Sequence, residues 1–418
     1  MSHRVVVTGV GVVSALGNSA AETWEGVISG RSGVTRLTRF DTGDLPAAVG
    51  IAAEIKNFEV GDLLDRREAK RTDLFIRYAL VAADEALRSA GLGGRRRVPN
   101  PDDTGVIVGS GIGGIGTILE TADMVNARGT ARVSPFFVPA SIINLASGHI
   151  AMRIGARGPN YATVSACATS NHAIGDAYHI IRRGDATMMI AGGAEAAINR
   201  LSFAGYHAAG ALVTDYDSPE SASRPFDMRR NGFVHAEGAA ILVLESLERA
   251  LERGATILGE VLGIGLSSDA HHITSPPEDG AGAVLAMRRA LRSAELAPED
   301  VGYVNAHGTS TPAGDVAETR AIKQVFGDLT KDLVISSTKS MLGHALGATA
   351  AIEAVLCIYA MQQSIVPPTI NLTDPDPECD LDYVPHVARR RPVRVAISNS
   401  FGFGGANTSL VLGRWDEN

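Results

Sequence analysis

Cysteine is scarce, with 3 residues in 418. So sparse and odd a set cannot build a disulfide framework, and it fits a reducing compartment. No C-x-x-C spacing occurs, which argues against structural zinc. Long apolar runs are missing too, so no transmembrane helix is expected. The apolar start, MSHRVVVTGVGVV, is short, broken by glycine and without an obvious small-residue cleavage site; it reads as a first buried strand, not a signal peptide. The expected location is cytoplasmic, without membrane insertion. Excess positive charge is also lacking: 38 Lys and Arg against 46 Asp and Glu give a formal charge of −8. That balance excludes general attraction to nucleic acid, and an acidic partner would need a local basic patch.

What is present is ordinary for a globular protein, with 45% hydrophobic and 20% charged residues in a chain long enough for a large core. The 46 glycines imply many tight turns and close backbone approaches. RVVVTGVGVV, TGVIVGSG, ATMMIAGGAE, AAILVLES, GYVNAHG, LVISSTKS and VRVAISNS read as short strands. TDLFIRYALVAADEALRSAG, AGAVLAMRRALRSA and GATAAIEAVLCIYAMQQ read as helices, the first closed by Gly91. The alternation predicts α/β layers with largely parallel strands.

An internal echo goes further. A strand ends at Ser165-Ala166-Cys167 and a small-residue helix follows; LVISSTKSMLGHALGATAAIEAV repeats the plan. Glycine-rich strand ends, GVIVGSGIGG and AISNSFGFGG, give a second correspondence. Two related halves are expected, residues 1–255 and 256–418, with the break near Arg253–Gly259 and the site where corresponding loops meet.

Several motifs carry candidate chemistry. GSGIGG at 109–114 fits a dinucleotide fingerprint, but no second strand ending in an acid follows, so close backbone packing is the preferred role. His271 and His272 are adjacent, and in an extended segment they point opposite ways, which suits a polar wall or lid better than a metal. Cys167 lies at or before a helix start, where the dipole and free N–H groups favour thiolate. Its alanine neighbours leave space above the sulfur for a substrate. The alternative is a buried small hydrophobe. Cys357 and Cys379 lack such a setting. His172 lies about 140° around the helix from Cys167, which favours a structural role. His307 at a strand end, and Lys339 with His344 on a turn entering a helix, form a better constellation with Cys167. Glu353 sits on a small, apolar helix face and, once buried, needs a cation or donors.

SACATS, NAHGTSTPAGD and STKSMLGH, in this order, resemble the β-ketoacyl-acyl-carrier-protein synthases, above all the synthase II class of type II fatty-acid condensing enzymes. VVVTGVGVVSALGN, SPFFVP, SRPFD, VPPTINL and NSFGFGGANTSL extend the likeness over nearly the whole chain. The resemblance implies a thiolase-like fold, two duplicated halves in a five-layered α-β-α-β-α sandwich, usually a homodimer. It implies that Cys167 carries the acyl chain as a thioester. His307 and His344 would then donate to the malonyl thioester oxygen during decarboxylation, and the N–H groups of Cys167 and Phe403 would form the oxyanion hole. Lys339 is expected to pair with Glu318. No cofactor is required, since acyl and malonyl groups arrive on the phosphopantetheine of acyl carrier protein. A monovalent cation, Na+ or K+, is implied at Asn305, Glu353, Ser398 and Asn399.

By the same resemblance, Phe403 gates the cysteine, and the glycines around it let it swing. Ile112, Phe136 and Phe137 line the acyl tunnel or the dimer contact, with Phe401 beside the site. Thr309 and Thr311 contact the pantetheine arm, and Thr274 and Ser275 border its entrance. Arg66, Arg67, Lys70 and Arg71 match the family's basic segment for the carrier protein; a solvated face is the alternative. The chain departs from the pattern at Ser170, Asn171, Gly210, Asn231, His235, Ala236 and Ala350. A degradative thiolase would have a cysteine in NSFGFGGAN, an initiating synthase an asparagine at His344, and a chain-length partner no nucleophile. A discrete type II polyketide ketosynthase is the main alternative. A dehydrogenase would need the weak glycine motifs to bind nucleotide.

Overall fold

β-branched runs such as Val5–Val7 fit a pleated surface better than a helix, and a strand buried on both faces needs no polar alternation. The computed structural model describes residues 2–93 and 98–416. It joins ten strands in one mixed sheet. The first five are β1 (Val5–Val13), β2 (Thr104–Gly109), β3 (Asn160–Tyr161), β4 (Met188–Glu195) and β5 (Gly238–Ser246). The second five are β6 (Gly259–Ser268), β7 (Tyr303–Asn305), β8 (Val334–Ser336), β9 (Val395–Gly402) and β10 (Ala406–Gly413).

Across the sheet the order is β3-β2-β4-β5-β1-β6-β10-β9-β7-β8. Each strand of the first half thus has a counterpart five numbers later. Pairing senses repeat as well: β1/β5 and β5/β4 are antiparallel and β4/β2 and β2/β3 parallel, as are their counterparts. Even the irregularities correspond. The β1/β5 ladder shifts between Val7 and Gly9, and the β6/β10 ladder passes from Val261 to Gly263. The halves join through Val5↔Val261, Val6↔Glu260 and Val7↔Gly259, a pairing symmetric about Val6.

Helices complete five layers. α1 (Leu74–Ser89) and α2 (Leu145–Ile154) pack with Val106, Ile190 and Val243 on one outer face. Between the half-sheets lie α3 (Thr169–Arg183) and, later in the chain, a second central helix. α4 (Ala281–Ala294) and α5 (Pro312–Phe326) pack with Val304, Ile397 and Val411 on the other outer face. The second central helix, α6 (Thr349–Gln363), shares the middle core with α3, Ile107, Leu242, Tyr303 and Leu410. α3 and α6 have 15 residues each and are entered by matching short turns, Ala166–Ala168 and Leu346–Ala348. The first residue of each turn is left-handed, with φ of +50° at Ala166 and +46° at Leu346.

This is the thiolase-like architecture, and it corrects one detail of the echo. GVIVGSG ends β2 whereas AISNSFG forms β9, the counterpart of β4, so the two glycine-rich ends occupy different places. The true counterpart of GVIVGSG is YVNAHGT on β7. Strands β6 and β10 escape the sequence reading, GEVLGIGLSS being glycine-broken and ANTSLVLG beginning polar. The strand expected to end at Ser165-Ala166-Cys167 is only β3, which stops at Tyr161, before the short turn Ala166–Ala168. Gly91, with φ of +72°, does follow α1, and Leu92 N–H closes on Leu87 O at 2.7 Å. No helix among the described residues is long and apolar enough to cross a membrane.

Candidate active site

The turn before α3 presents Cys167, buried, at the helix N-terminus. The backbone after β7 presents His307, and the loop between β8 and α6 presents His344. The Cys167 sulfur and one ring nitrogen of each histidine all lie within 4.8 Å of one another. His344 Nε2 is 2.9 Å from the Cys167 Sγ, and His344 Nδ1 is 3.1 Å from the Thr349 hydroxyl. The two imidazoles meet edge to face with centroids 5.6 Å apart, and Phe401 stands 5.5 Å from His307.

Burial dominates the electrostatics. It pushes the Cys167 thiol up to about 11, although Lys339 and the N–H groups of Phe403 and Cys167 pull the other way. The thiolate expected from the helix dipole is therefore not the resting form; desolvation outweighs the dipole. Burial, with Lys339 adding to it, holds His307 and His344 well below the usual imidazole range, so both are neutral and each keeps one N–H to donate.

Lys339 corrects an expected pairing. Its Nζ donates to Glu353 Oε1 at 2.7 Å, not to Glu318. Glu353 thereby has its cation, though burial still raises its carboxyl to about 7. Glu318 accepts instead from the backbone N–H groups of His307 (2.9 Å) and Gly308 (2.8 Å) and from Asn399 Nδ2 (3.1 Å). It thus fixes the turn carrying His307.

Among the described residues, the buried Glu353 Oε2, Asn305 Oδ1 and Ser398 Oγ each lack a hydrogen-bond partner. Asn305 and Ser398 are register partners on β7 and β9. A small oxygen-seeking cation fits such a set. The Asn399 side chain is already engaged, by Glu318 and by the Ser409 hydroxyl at 2.7 Å.

A cavity of about 380 Å³ rises from the cysteine. Ile112, Tyr206, Phe233 and Leu346 give it an apolar side. Thr274, Ser275, Thr309 and Thr311 line it too, the last two with hydroxyls 3.0 Å apart. Phe403 stands at the cysteine, over a third exposed, followed by left-handed Gly404 and Gly405. His272 also lines the cavity, its Nδ1 accepting from Thr274 N–H at 3.2 Å and Ser275 N–H at 3.3 Å. It organises the wall, in keeping with the polar wall or lid read from sequence, and of the adjacent pair it is His272 that lines the cavity.

Other residues lie elsewhere. His172 Nδ1 is held locally by the Ser165 hydroxyl (2.8 Å) and Ala168 O (3.1 Å). Phe136 and Phe137 do not line this cavity; Phe136 is exposed, under the Arg71 guanidinium at 4.2 Å. Arg66, Arg67 and Lys70 are exposed on and beside the same short helix, Arg66–Ala69, away from the cavity.

The departures have local reasons. Ser170 Oγ accepts the Ala351 N–H at 2.9 Å, so a residue of α3 satisfies one of the free N–H groups at the start of α6. Asn171 Nδ2 donates to Ser398 O (3.3 Å) and Thr408 Oγ (3.2 Å), tying α3 to the second half-sheet. Gly210 has φ of +65° just past the helix Arg200–Ala208, where glycine suits the chain reversal. Asn231 Oδ1 accepts from Thr214 N–H at 2.7 Å. His235 is buried and stacks on Phe203 with centroids 5.3 Å apart. Ala350 is buried, and Ala236, also buried, donates its N–H to His344 O at 3.0 Å.

Both halves match known family domains. Residues 2–250 match "Beta-ketoacyl synthase, N-terminal domain" and residues 258–373 match "Beta-ketoacyl synthase, C-terminal domain". The chain belongs to the β-ketoacyl synthase family, a class of acyl-transferring condensing enzymes. Within it, the chain is 49% identical over 412 residues to "3-oxoacyl-[acyl-carrier-protein] synthase 2" of Synechocystis sp. (strain ATCC 27184 / PCC 6803 / Kazusa), covering 99% of this chain and 98% of that protein. It is 48% identical over 415 residues to the protein of the same name from Staphylococcus aureus (strain COL), covering 99% of each. Among solved structures, the AntDE:AntF complex of a type II PKS acyl-carrier protein with its ketosynthase, bound to the hexaketide, superposes with a TM-score of 0.89 at 32% identity, covering 99% of this chain and 100% of that one.

Proposed function

We propose that this chain elongates fatty-acyl chains by decarboxylative Claisen condensation, with residues 1–255 supplying the nucleophile and residues 256–418 the two histidines. The observation that carries this reading is the meeting of Cys167, His307 and His344 at the base of one half-apolar cavity. In the first half-reaction the Cys167 thiol attacks the acyl-carrier thioester. Its proton passes to the departing pantetheine thiol, with His344 Nε2 within reach at 2.9 Å. The N–H groups of Cys167 and Phe403 hold the acyl oxygen as it turns negative; such donors are worth about 3–4 kcal/mol each.

In the second half-reaction malonyl-carrier loses CO2. The pair from the broken C–C bond moves into an enolate, whose oxygen accepts from neutral His307 and His344. The enolate carbon attacks the acyl thioester and expels the Cys167 sulfur, which takes up one proton. The product is 3-ketoacyl-carrier. No redox cofactor enters this balance. A Na+ or K+ at Asn305, Glu353 and Ser398 would fix the strand ends beneath His307, with the backbone of Asn399 beside them.

Acyl carrier protein is the partner. Arg66, Arg67, Lys70 and Arg71 flank an exposed apolar face that includes Phe136, Val138, Ile142, Met152 and Tyr161. That face contains β3, an edge strand at one end of the sheet. A second copy packed across a two-fold would cover both. Phe136 and Phe137 belong to this dimer contact, and the basic residues to the carrier dock beside it. The setting is cytoplasmic.

A discrete polyketide ketosynthase is the second reading, favoured by the likeness to the AntDE:AntF complex. Purified protein with malonyl-carrier and a panel of acyl-carriers, read by product mass, tests both. Saturated 3-ketoacyl products support elongation, and repeated condensation without reduction supports the alternative. Condensation by Cys167→Ala at the wild-type rate refutes both.

A further inference from the structure

The duplicated fold contains a second copy of the nucleophile turn, and its contents differ instructively. Cys167 is the middle residue of the turn before α3, and Gly347 the middle residue of the turn before α6. Glu195 ends β4 and Gly402 ends β9, and each pairs with the first residue of the next strand, Glu195↔Gly238 and Gly402↔Ala406. Glu195 is therefore the counterpart of Gly402. In the catalytic copy, position 402 has no side chain; a Cβ there would lie 3.3 Å from Cys167 N and 2.6 Å from Ser165 O. The Cys167 N–H is thereby left for the substrate oxygen. In the other copy, the Glu195 carboxylate fills that place and accepts the Gly347 N–H at 3.0 Å.

Glu195 is fully buried and accepts three more hydrogen bonds, from Gly111 N–H (2.6 Å), Ile112 N–H (3.1 Å) and the Ser110 hydroxyl (2.9 Å). Burial raises the Glu195 carboxyl, and the four converging donors oppose that shift by favouring the ionised form, which only accepts. The glycines are required by this packing: a Cβ on Gly111 would lie 2.7 Å from Glu195 Oε2, and one on Gly347 2.9 Å. The carboxylate thus binds two segments from different halves. Ile112 and Leu346, beside its donors, form the apolar side of the cavity, and His344 is three residues before Gly347.

We infer that Glu195 is a positioning residue for acyl transfer: it occupies the vacant copy of the oxyanion site and clamps the Gly111–Ile112 wall of the acyl cavity to the segment carrying His344. The inference rests on the condensing activity proposed above, so wild-type protein run in parallel separates the two. A wild type that does not acylate Cys167 refutes that activity; a competent wild type leaves only the role of Glu195 under test.

The experiment measures acylation of Cys167 by intact mass in Glu195→Gln and Glu195→Ala, with short- and long-chain acyl-carrier. We expect long-chain acylation to fall on the order of tenfold or more in both, because the wall contacts grow with chain length. Short-chain acylation should fall much less. Sodium formate should restore long-chain acylation in Glu195→Ala, and sodium chloride at equal ionic strength should not. Rates equal to wild type overturn the proposal, as does an equal loss at all chain lengths without formate rescue. Should Glu195→Ala not fold, the chain-length profile of Glu195→Gln decides alone, since a merely structural carboxylate would not make the loss depend on chain length.

Discussion

Gly402→Ala perturbs the oxyanion hole by one methyl group. Gly402 is not left-handed, so alanine adds no backbone strain. Its Cβ would meet Ser165 O at 2.6 Å, closer than contact allows, and Cys167 N at 3.3 Å, where the acyl oxygen must sit. Ser165 and Cys167 belong to the tight turn with left-handed Ala166, which has little room to yield. The overpacking should cost about 1–3 kcal/mol of stability. Over 418 residues the unfolding entropy is roughly 0.9 kcal/mol per kelvin, so the melting temperature should fall by only about 1–3 °C. Losing one oxyanion donor, by contrast, costs on the order of 10²–10³ in rate. Intact-mass kinetics of Cys167 acylation, with a thermal melt, would separate the two. Acylation within about threefold of wild type would refute the assignment of the Cys167 N–H.

Alkylation of Cys167 by iodoacetamide should climb with pH toward about 11, because only the thiolate reacts; a plateau below pH 8 would contradict a desolvated thiol. Lys339→Met removes the cation that favours the thiolate, so at fixed pH it should alkylate more slowly. The same variant strands Glu353 and should lose about 3–5 kcal/mol, with Glu353→Gln in the same chain restoring part of it in a thermal melt. Ser170→Ala orphans the Ala351 N–H and should cost about 1–3 kcal/mol, with no change in acylation rate. His307→Ala and His344→Ala should spare acylation more than malonyl decarboxylation, measured as 14CO2 release; equal losses would count against their roles as enolate donors.

The nucleophile turn is legible in sequence because small residues around Cys167 precede a clear helical period. The duplication is legible because α3 and α6 must pack together between two half-sheets, which forces small residues into both. The partner of Lys339 is not legible. Glu318 and Glu353 are both buried acids, and only the placement of α6 beside the turn of Lys339 decides between them. The resting state of Cys167 is hidden for a related reason: a helix start reads from sequence, but the depth of burial that outweighs it does not. Glu195 is invisible as well, since its donors come from two separated stretches, 110–112 and Gly347, and three of the four are backbone N–H groups. Ser170 gains its meaning only from the facing helix.

The most direct test is a two-step single turnover. Protein is mixed with acyl-carrier, the modified residue is located by peptide mass, and malonyl-carrier is then added. We expect the acyl group on Cys167 alone, then its discharge in step with one CO2 and one 3-ketoacyl-carrier longer by two carbons. An adduct on another residue, or an acyl-Cys167 that malonyl-carrier leaves untouched, would contradict the mechanism.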